Sequence, residues 1–103
     1  MNSFLWKMET FPPSETFRVG PIIRCFKWTG ANSYLILSDG KFLSLGGGDG
    51  KFGLWIDSNL EKGFSTTCPA FANEVLCDET GETRDGVKEG KFEIMAIECW
   101  AIG

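Results

Sequence analysis

No histidine occurs anywhere in the 103 residues. Its absence removes the usual general base, so a serine or cysteine nucleophile would have no imidazole to activate it. It also removes one of the two main zinc ligands. The other, cysteine, stands at positions 25, 68, 77 and 99 with no Cys-x-x-Cys pair, which is not the close ligand spacing of a zinc site. Basic residues are scattered singly, ten against fourteen acids, for a formal charge of −4. No basic patch or stripe marks a nucleic-acid surface. No apolar run approaches the ~20 residues that a membrane-spanning helix needs, and "MNSFLWKMETF" at the start carries no signal-peptide pattern. The four cysteines are therefore expected as reduced thiols, with Cys25 and Cys99 in strands, in a cytoplasmic protein. No metal or cofactor is expected.

Aromatic residues and glycine are abundant instead. Nine Phe, four Trp and one Tyr make up 14% of the chain, beside thirteen Gly. Each aromatic can bury ~150–250 Å², enough for a few of them to dominate the core of one small domain. Strands are predicted at Ser3–Lys7, Ile22–Trp28 and Ser33–Ser38, rich in β-formers and separated by turn signals. Pro12-Pro13 places a loop between the first two, and Asp39-Gly40 signals a hairpin into "KFLSLGG". "KFGLWIDS" is a further strand, "NLEKGFS" a turn region or one helical turn, and "TTCPAFANEVL" irregular. Residues 77–90, "CDETGETRDGVKEG", are acidic and nearly free of apolar side chains, and are expected as a mobile surface loop. "KFEIMAIECWAI" is expected as the closing strand. No helical apolar stripe runs for three turns, so the pattern points to packed β-sheets.

Gly48-Asp49-Gly50-Lys51-Phe52-Gly53 matches G-x-G-x-x-G. A dinucleotide fingerprint needs a helix after the glycines, and "LWIDS" is a strand. A P-loop needs glycine at 45 and Ser or Thr at 52, where Leu45 and Phe52 stand. A kinase glycine loop is a hairpin of similar form, but no V-A-I-K, H-R-D or D-F-G follows. The remaining reading is structural. Gly46, Gly47, Gly48, Gly50 and Gly53 form a corner that lets the ribbon turn and pack where side chains would clash.

The same stretch carries a family resemblance. Gly46 to Asp57, "GGGDGKFGLWID", resembles the G-G-G-x-G-x-F-G-L-W-L-D signature of TLDc domains, the domain of the oxidation-resistance protein family. The likeness continues through Leu60, Gly63-x-Ser65, Cys68-Pro69-x-Phe71 and Asn73-Glu74-x-Leu76. Upstream, Phe26-Lys27-Trp28-Thr29-Gly30-x-Asn32-Ser33-Tyr34 resembles F-x-W-T-G-x-N-x-[YF]. Downstream, Phe92-Glu93-Ile94 and Ile97-Glu98-x-Trp100 resemble the closing pattern. The "GGGDG" form with "FLWK" at the start looks most like fungal or protist members. Ala70 stands where the family usually has threonine, a minor departure. The larger one is that the family's front segment, W-x-x-x-[FY]-S-x-x-x-H-G-x-S and then K-D-x-x-G-x-x-F-G-A-[YF], has no counterpart. The resemblance thus implies that residues 1–103 are the C-terminal portion of a TLDc domain. It implies a mainly β fold of two antiparallel sheets packed as a sandwich, with flanking helices mostly in the missing segment. It also implies a non-enzymatic role in oxidative-stress resistance through binding the vacuolar proton-pumping ATPase at its peripheral subunits and regulating its assembly, with recruitment to vacuolar or lysosomal membranes or to mitochondria.

Candidate partner-binding residues are Asp57, Ser65, Cys68, Phe71, Asn73 and Glu98. Asp57 ends an apolar strand, where its carboxylate can accept turn N–H groups, the preferred reading, or meet a partner's arginine. Phe71 and Asn73 are expected to lock the irregular loop onto the sheet. Glu98 is a solvent-facing strand residue or a partner contact. Cys68, or another cysteine, carries the alternative reading of a thiol-based peroxide scavenger or redox sensor, which needs an electropositive neighbour. Trp28, Trp55 and Trp100 are expected in the core and Trp6 exposed. Strand edges normally paired with the missing segment would lie open, predicting self-association of the chain alone.

Overall fold

The structure, a computed structural model, describes residues 3–9, 22–77, 82–84 and 87–100, with the backbone alone for 82–84 and 87. Eight strands are present among the described residues: β1 Phe4–Glu9, β2 Ile22–Lys27, β3 Ile36–Ser38, β4 Phe42–Gly48, β5 Lys51–Asp57, β6 Lys62–Ser65, β7 Glu82–Arg84 and β8 Val87–Glu93. They form a two-stranded ribbon, β1-β2, and a six-stranded sheet of order β3-β4-β5-β6-β8-β7. Every pairing is antiparallel, and no helix occurs among the described residues.

The ribbon lies over the large sheet. Its inner residue Leu5 joins Cys68, Ala70 and Phe71 in the buried core, with Phe26, Trp28, Leu35, Leu45 and Leu76 packed around them. Contact is close at Gly53, where an added Cβ would come within 2.6 Å of Leu5 Cδ1. Ion pairs pin the ribbon's far end. Lys7 Nζ donates to Val75 O at 3.0 Å and pairs with Glu9 at 3.2 Å and Glu74 at 3.5 Å; Arg24 Nε pairs with Glu9 at 2.9 Å. The hydrogen bonds from Arg24 and then Lys7 hold the Glu9 carboxyl below its ordinary value. A depressed carboxylate contributes stability above its unfolded pKa of about 4.3 and loses it as pH falls through the lower folded value. We therefore expect Glu9→Gln to be mildly destabilising from neutral pH down to about pH 5, and its deficit against the unsubstituted chain to close in more acid solution. Thermal melts between neutral and acid pH check this, and a deficit that stayed constant would place the effect outside the ion pair.

The glycine corner answers the question that its sequence raises. Asp49 (φ 54°) and Gly50 (φ 72°) are both left-handed and join Gly48 to its partner Lys51, the two-residue hairpin that twist-matched strands favour. Just before it the two-residue period breaks. Added Cβ atoms at both Gly46 and Gly53 would point at core atoms, on the same side as their neighbours Leu45 and Leu54, which pair across the ladder. Gly46 makes the flip at φ 80°, while its N–H donates to Leu35 O at 2.8 Å and so continues the β3–β4 register by one pair. Phe52 consequently moves to the opposite face, where its ring meets Phe42 at 5.9 Å and Phe64 at 6.4 Å. Trp55 stacks on Phe42 and Phe64 there, at 5.8 and 5.0 Å. Strict alternation would have put Phe52 and Trp55, three residues apart, on opposite faces.

Several expectations need correction. "NLEKGFS" contains the strand β6, whose short Lys62–Ser65 run shows no alternation yet pairs with both β5 and β8. The acidic segment 77–90 contains β7 and the first half of β8, paired from Glu82↔Glu89 to Arg84↔Val87. Backbone pairing there outweighs the lack of apolar side chains. The closing strand ends at Glu93, so Cys99 lies outside any strand, while Cys25 lies in β2 as expected. Trp100 is 81% exposed rather than core. The first hairpin turns at Gly40-Lys41, because Asp39 pairs with Phe42 by its N–H to O bond of 3.0 Å. The Asp39 carboxylate accepts from Lys41 N and Phe42 N at the turn. The Pro12-Pro13 loop lies outside the described residues.

Candidate protein-binding site

Residues 66–76 form an irregular plug between the sheets, as the sequence suggested, and the plug is held by side-chain hydrogen bonds. Asn73, buried, is its hub. Its Oδ1 accepts from Cys68 N and Cys68 Sγ, both at 3.1 Å, and its Nδ2 donates to Thr66 O at 2.9 Å and Glu74 O at 2.8 Å. Thr66 N–H and hydroxyl both donate to Phe52 O, at 3.0 and 2.9 Å. Ser65 Oγ donates to Gly53 O at 2.5 Å and accepts from Leu76 N at 2.9 Å, so it ties the plug's two ends to β5. Thr29 fastens the other side, its N–H donating to Ala70 O at 2.9 Å and its hydroxyl to Pro69 O at 2.8 Å.

The sequence-predicted residues therefore do not share one surface. Ser65, Cys68, Phe71 and Asn73 come together but are buried, and in this conformation none of them offers its side chain to a partner. Burial pushes the Cys68 thiol above its ordinary value, outweighing the backbone hydrogen bonds that act the other way. Neither Ser65 nor Cys68 has the setting of an activated nucleophile. Asp57 lies at the β5–β6 turn, half-buried, and does what capping predicts: its Oδ1 accepts from Glu61 N at 3.0 Å and Lys62 N at 3.4 Å. Glu98 is exposed near Trp100, whose indole N–H donates to it at 3.4 Å.

Sequence reasoning missed a surface cleft on the other side of the glycine corner. It encloses about 380 Å³ between Tyr34, Ile36 and Leu37 on one wall and the backbone of Gly46–Gly50 with Phe52 on the other. Tyr34, Ile36 and Leu37 are 65%, 69% and 53% exposed. A second hollow, lined by Phe4, Leu5, Leu35, Ile36, Leu45 and Phe71, connects this wall to β1, whose outward residues Phe4, Trp6 and Met8 are also exposed. Ile36 lies on both hollows, so the apolar surface is continuous. "SYLILS" showed that a strand belonged here, but an apolar strand residue reads the same whether the topology covers it or leaves it at an edge.

The family model of the TLDc domain matches residues 2–103. The chain belongs to the TLDc domain family. Relatives of this TLDc chain include oxidation resistance protein 1 of Podospora anserina, 49% identical over 80 residues, which covers 78% of this chain and 20% of that protein. The protein of the same name from Yarrowia lipolytica is 38% identical over 102 residues, 99% of this chain and 36% of the relative. Human nuclear receptor coactivator 7 is 40% identical over 102 residues, 97% of this chain and 10% of that protein. The TLDc chain thus spans between a tenth and about a third of these relatives' lengths.

Proposed function

We propose that this chain is a non-enzymatic TLDc binding module in oxidative-stress resistance, and that it binds the vacuolar proton-pumping ATPase at its peripheral subunits and regulates its assembly. The observation that carries the module reading is the division of labour above. Ser65 and Cys68 are held in and beside the plug as hydrogen-bonding struts, while apolar side chains stand at the surface beside the glycine corner. Likeness to proteins named for oxidation resistance supports the stress role, and the family resemblance supports the choice of pump. The module works in the cytoplasm and reaches the vacuolar membrane through its partner. In the test, the tagged chain is incubated with solubilised vacuolar membranes. Peripheral pump subunits should co-purify, and the fraction of assembled pump should change with added chain. Neither effect at saturating chain would end the pump reading.

The competing thiol reading has a separate check. Cys68 is buried with its S–H directed to Asn73, whereas Cys25 and Cys99 are exposed. Under brief alkylation of the folded chain, Cys25 and Cys99 should label first, and Cys68 should lag by roughly tenfold or more, because the thiolate is the reacting form. Peptide mass spectrometry reads the order. Equal labelling of Cys68 would reopen it as a redox centre, and so would loss of peroxide protection on its replacement alone.

A further inference from the structure

We propose that the cleft beside the glycine corner is the module's docking site, and that its occupant is an extended partner segment that pairs with β3 and inserts one large, uncharged apolar side chain. The proposal rests on the binding-module reading and adds to it a site and a ligand chemistry.

Three observations converge. β3 ends the order of the large sheet, and among the described residues β4 is its sole ladder partner. An edge of this kind offers backbone N–H and C=O groups to an added strand, while neighbouring pockets select its side chains. The cleft beside that strand, about 380 Å³ and shared by β3 with β4 and β5, is within the range of ligand pockets and has an apolar wall of Tyr34, Ile36 and Leu37. Its other wall includes Gly46–Gly48 and Gly50; Tyr34 stands over Gly47, Asn32 and Pro69 stand over Gly48, and Gly50 has open space at its Cβ position. The third observation is charge. The charged residues lining the cleft are one acid, Asp49, and one base, Lys51. They cancel, so the cleft favours neither an anion nor a cation, and an acidic or basic side chain would lose its hydration without a partner of net opposite sign.

The site can be tested without the pump. The ¹⁵N-labelled chain is titrated with blocked pentapeptides Thr-Val-X-Val-Thr, with X as Trp, Ala, Asp or Lys. The Trp peptide should shift the amides of 34–37 and 46–52 saturably. The Ala, Asp and Lys peptides should bind roughly tenfold more weakly or worse, since ring burial supplies most of the affinity. Tyr34→Ala and Leu37→Ala, both at exposed positions, should weaken the Trp peptide while leaving the rest of the spectrum in place. Shifts centred elsewhere, or equal binding of all four peptides, would overturn the site. Free indole binding as tightly as the Trp peptide would overturn strand addition and make the cleft a site for small aromatics. Because no pump is present, failure here leaves pump co-purification standing, and failure of co-purification leaves this result standing.

Discussion

Asn73→Ala is expected to remove about 3–5 kcal/mol of stability, a large share of the roughly 5–15 kcal/mol that holds a domain of this size together. The figure follows from counting what is stranded. Asn73 is 2% exposed and makes four hydrogen bonds. Alanine would leave the Cys68 N–H and the Thr66 carbonyl without their Asn73 partner, in a space that the missing amide also leaves empty. Each orphaned buried group costs about 1–3 kcal/mol, and the bond to partly exposed Glu74 O adds less. Damage should spread, because the plug carries Ala70 and Phe71 into the core and fastens Thr29 to the ribbon side. Chemical denaturation reads the loss as a fall in midpoint. Glu74→Ala is the matched control next door: Glu74 is half-exposed and its ion pairs with Lys7 and Arg24 are at 3.5 and 3.9 Å, so its cost should stay within about 1 kcal/mol. Similar losses for the two would show that the plug is held by its surface and not by its amide hub.

The contrast also explains what could be read from the chain and what could not. The irregular loop and the anchoring roles of Phe71 and Asn73 were legible because Asn side chains commonly stand in for backbone partners where the chain cannot form a ladder. Asp57 as a cap was legible for a similar local reason. β6 was not, since its four residues carry no period and it exists through two neighbours far away in sequence. The acidic β7–β8 hairpin was hidden for the opposite reason. Its composition argues for solvation, and that outweighs the Asp85-Gly86 turn signal that separates Arg84 from Val87 in the sequence. Trp100 misled because an aromatic residue was read as core, while Ile94–Trp100 lies beyond the last strand. The site candidates were chosen by residue type, which finds chemistry. Exposure depends on which strand becomes the sheet's edge, and that is a property of topology.

Gly46→Ala is the second large effect expected, at about 2–5 kcal/mol. Two terms contribute. The residue stands at φ 80°, and a left-handed conformation costs a side-chain-bearing residue about 1–2 kcal/mol. Its Cβ would also lie 2.7 Å from Phe71 Cδ2 and 2.9 Å from Cys68 Sγ, in the buried core, and overpacking of that kind costs about 1–3 kcal/mol. Gly50→Ala separates the terms, since Gly50 has φ 72° and open space around its Cβ position; it should show the conformational cost alone. Gly40→Ala has neither penalty and should be neutral or stabilise by up to about 1 kcal/mol through the unfolded chain. The graded series, with Gly46 worst, Gly50 intermediate and Gly40 harmless, is what a structural corner requires. A phosphate cradle would give a different pattern. Losses would then appear in anion binding, and Gly46→Ala would leave the melting midpoint near that of Gly50→Ala. The aromatic face gives a second readout, because Phe52 shares it with Trp55 only through the flip at Gly46 and Gly53. Near-ultraviolet dichroism of the Gly46 variant should therefore weaken below its unfolding transition, before the far-ultraviolet strand signal changes.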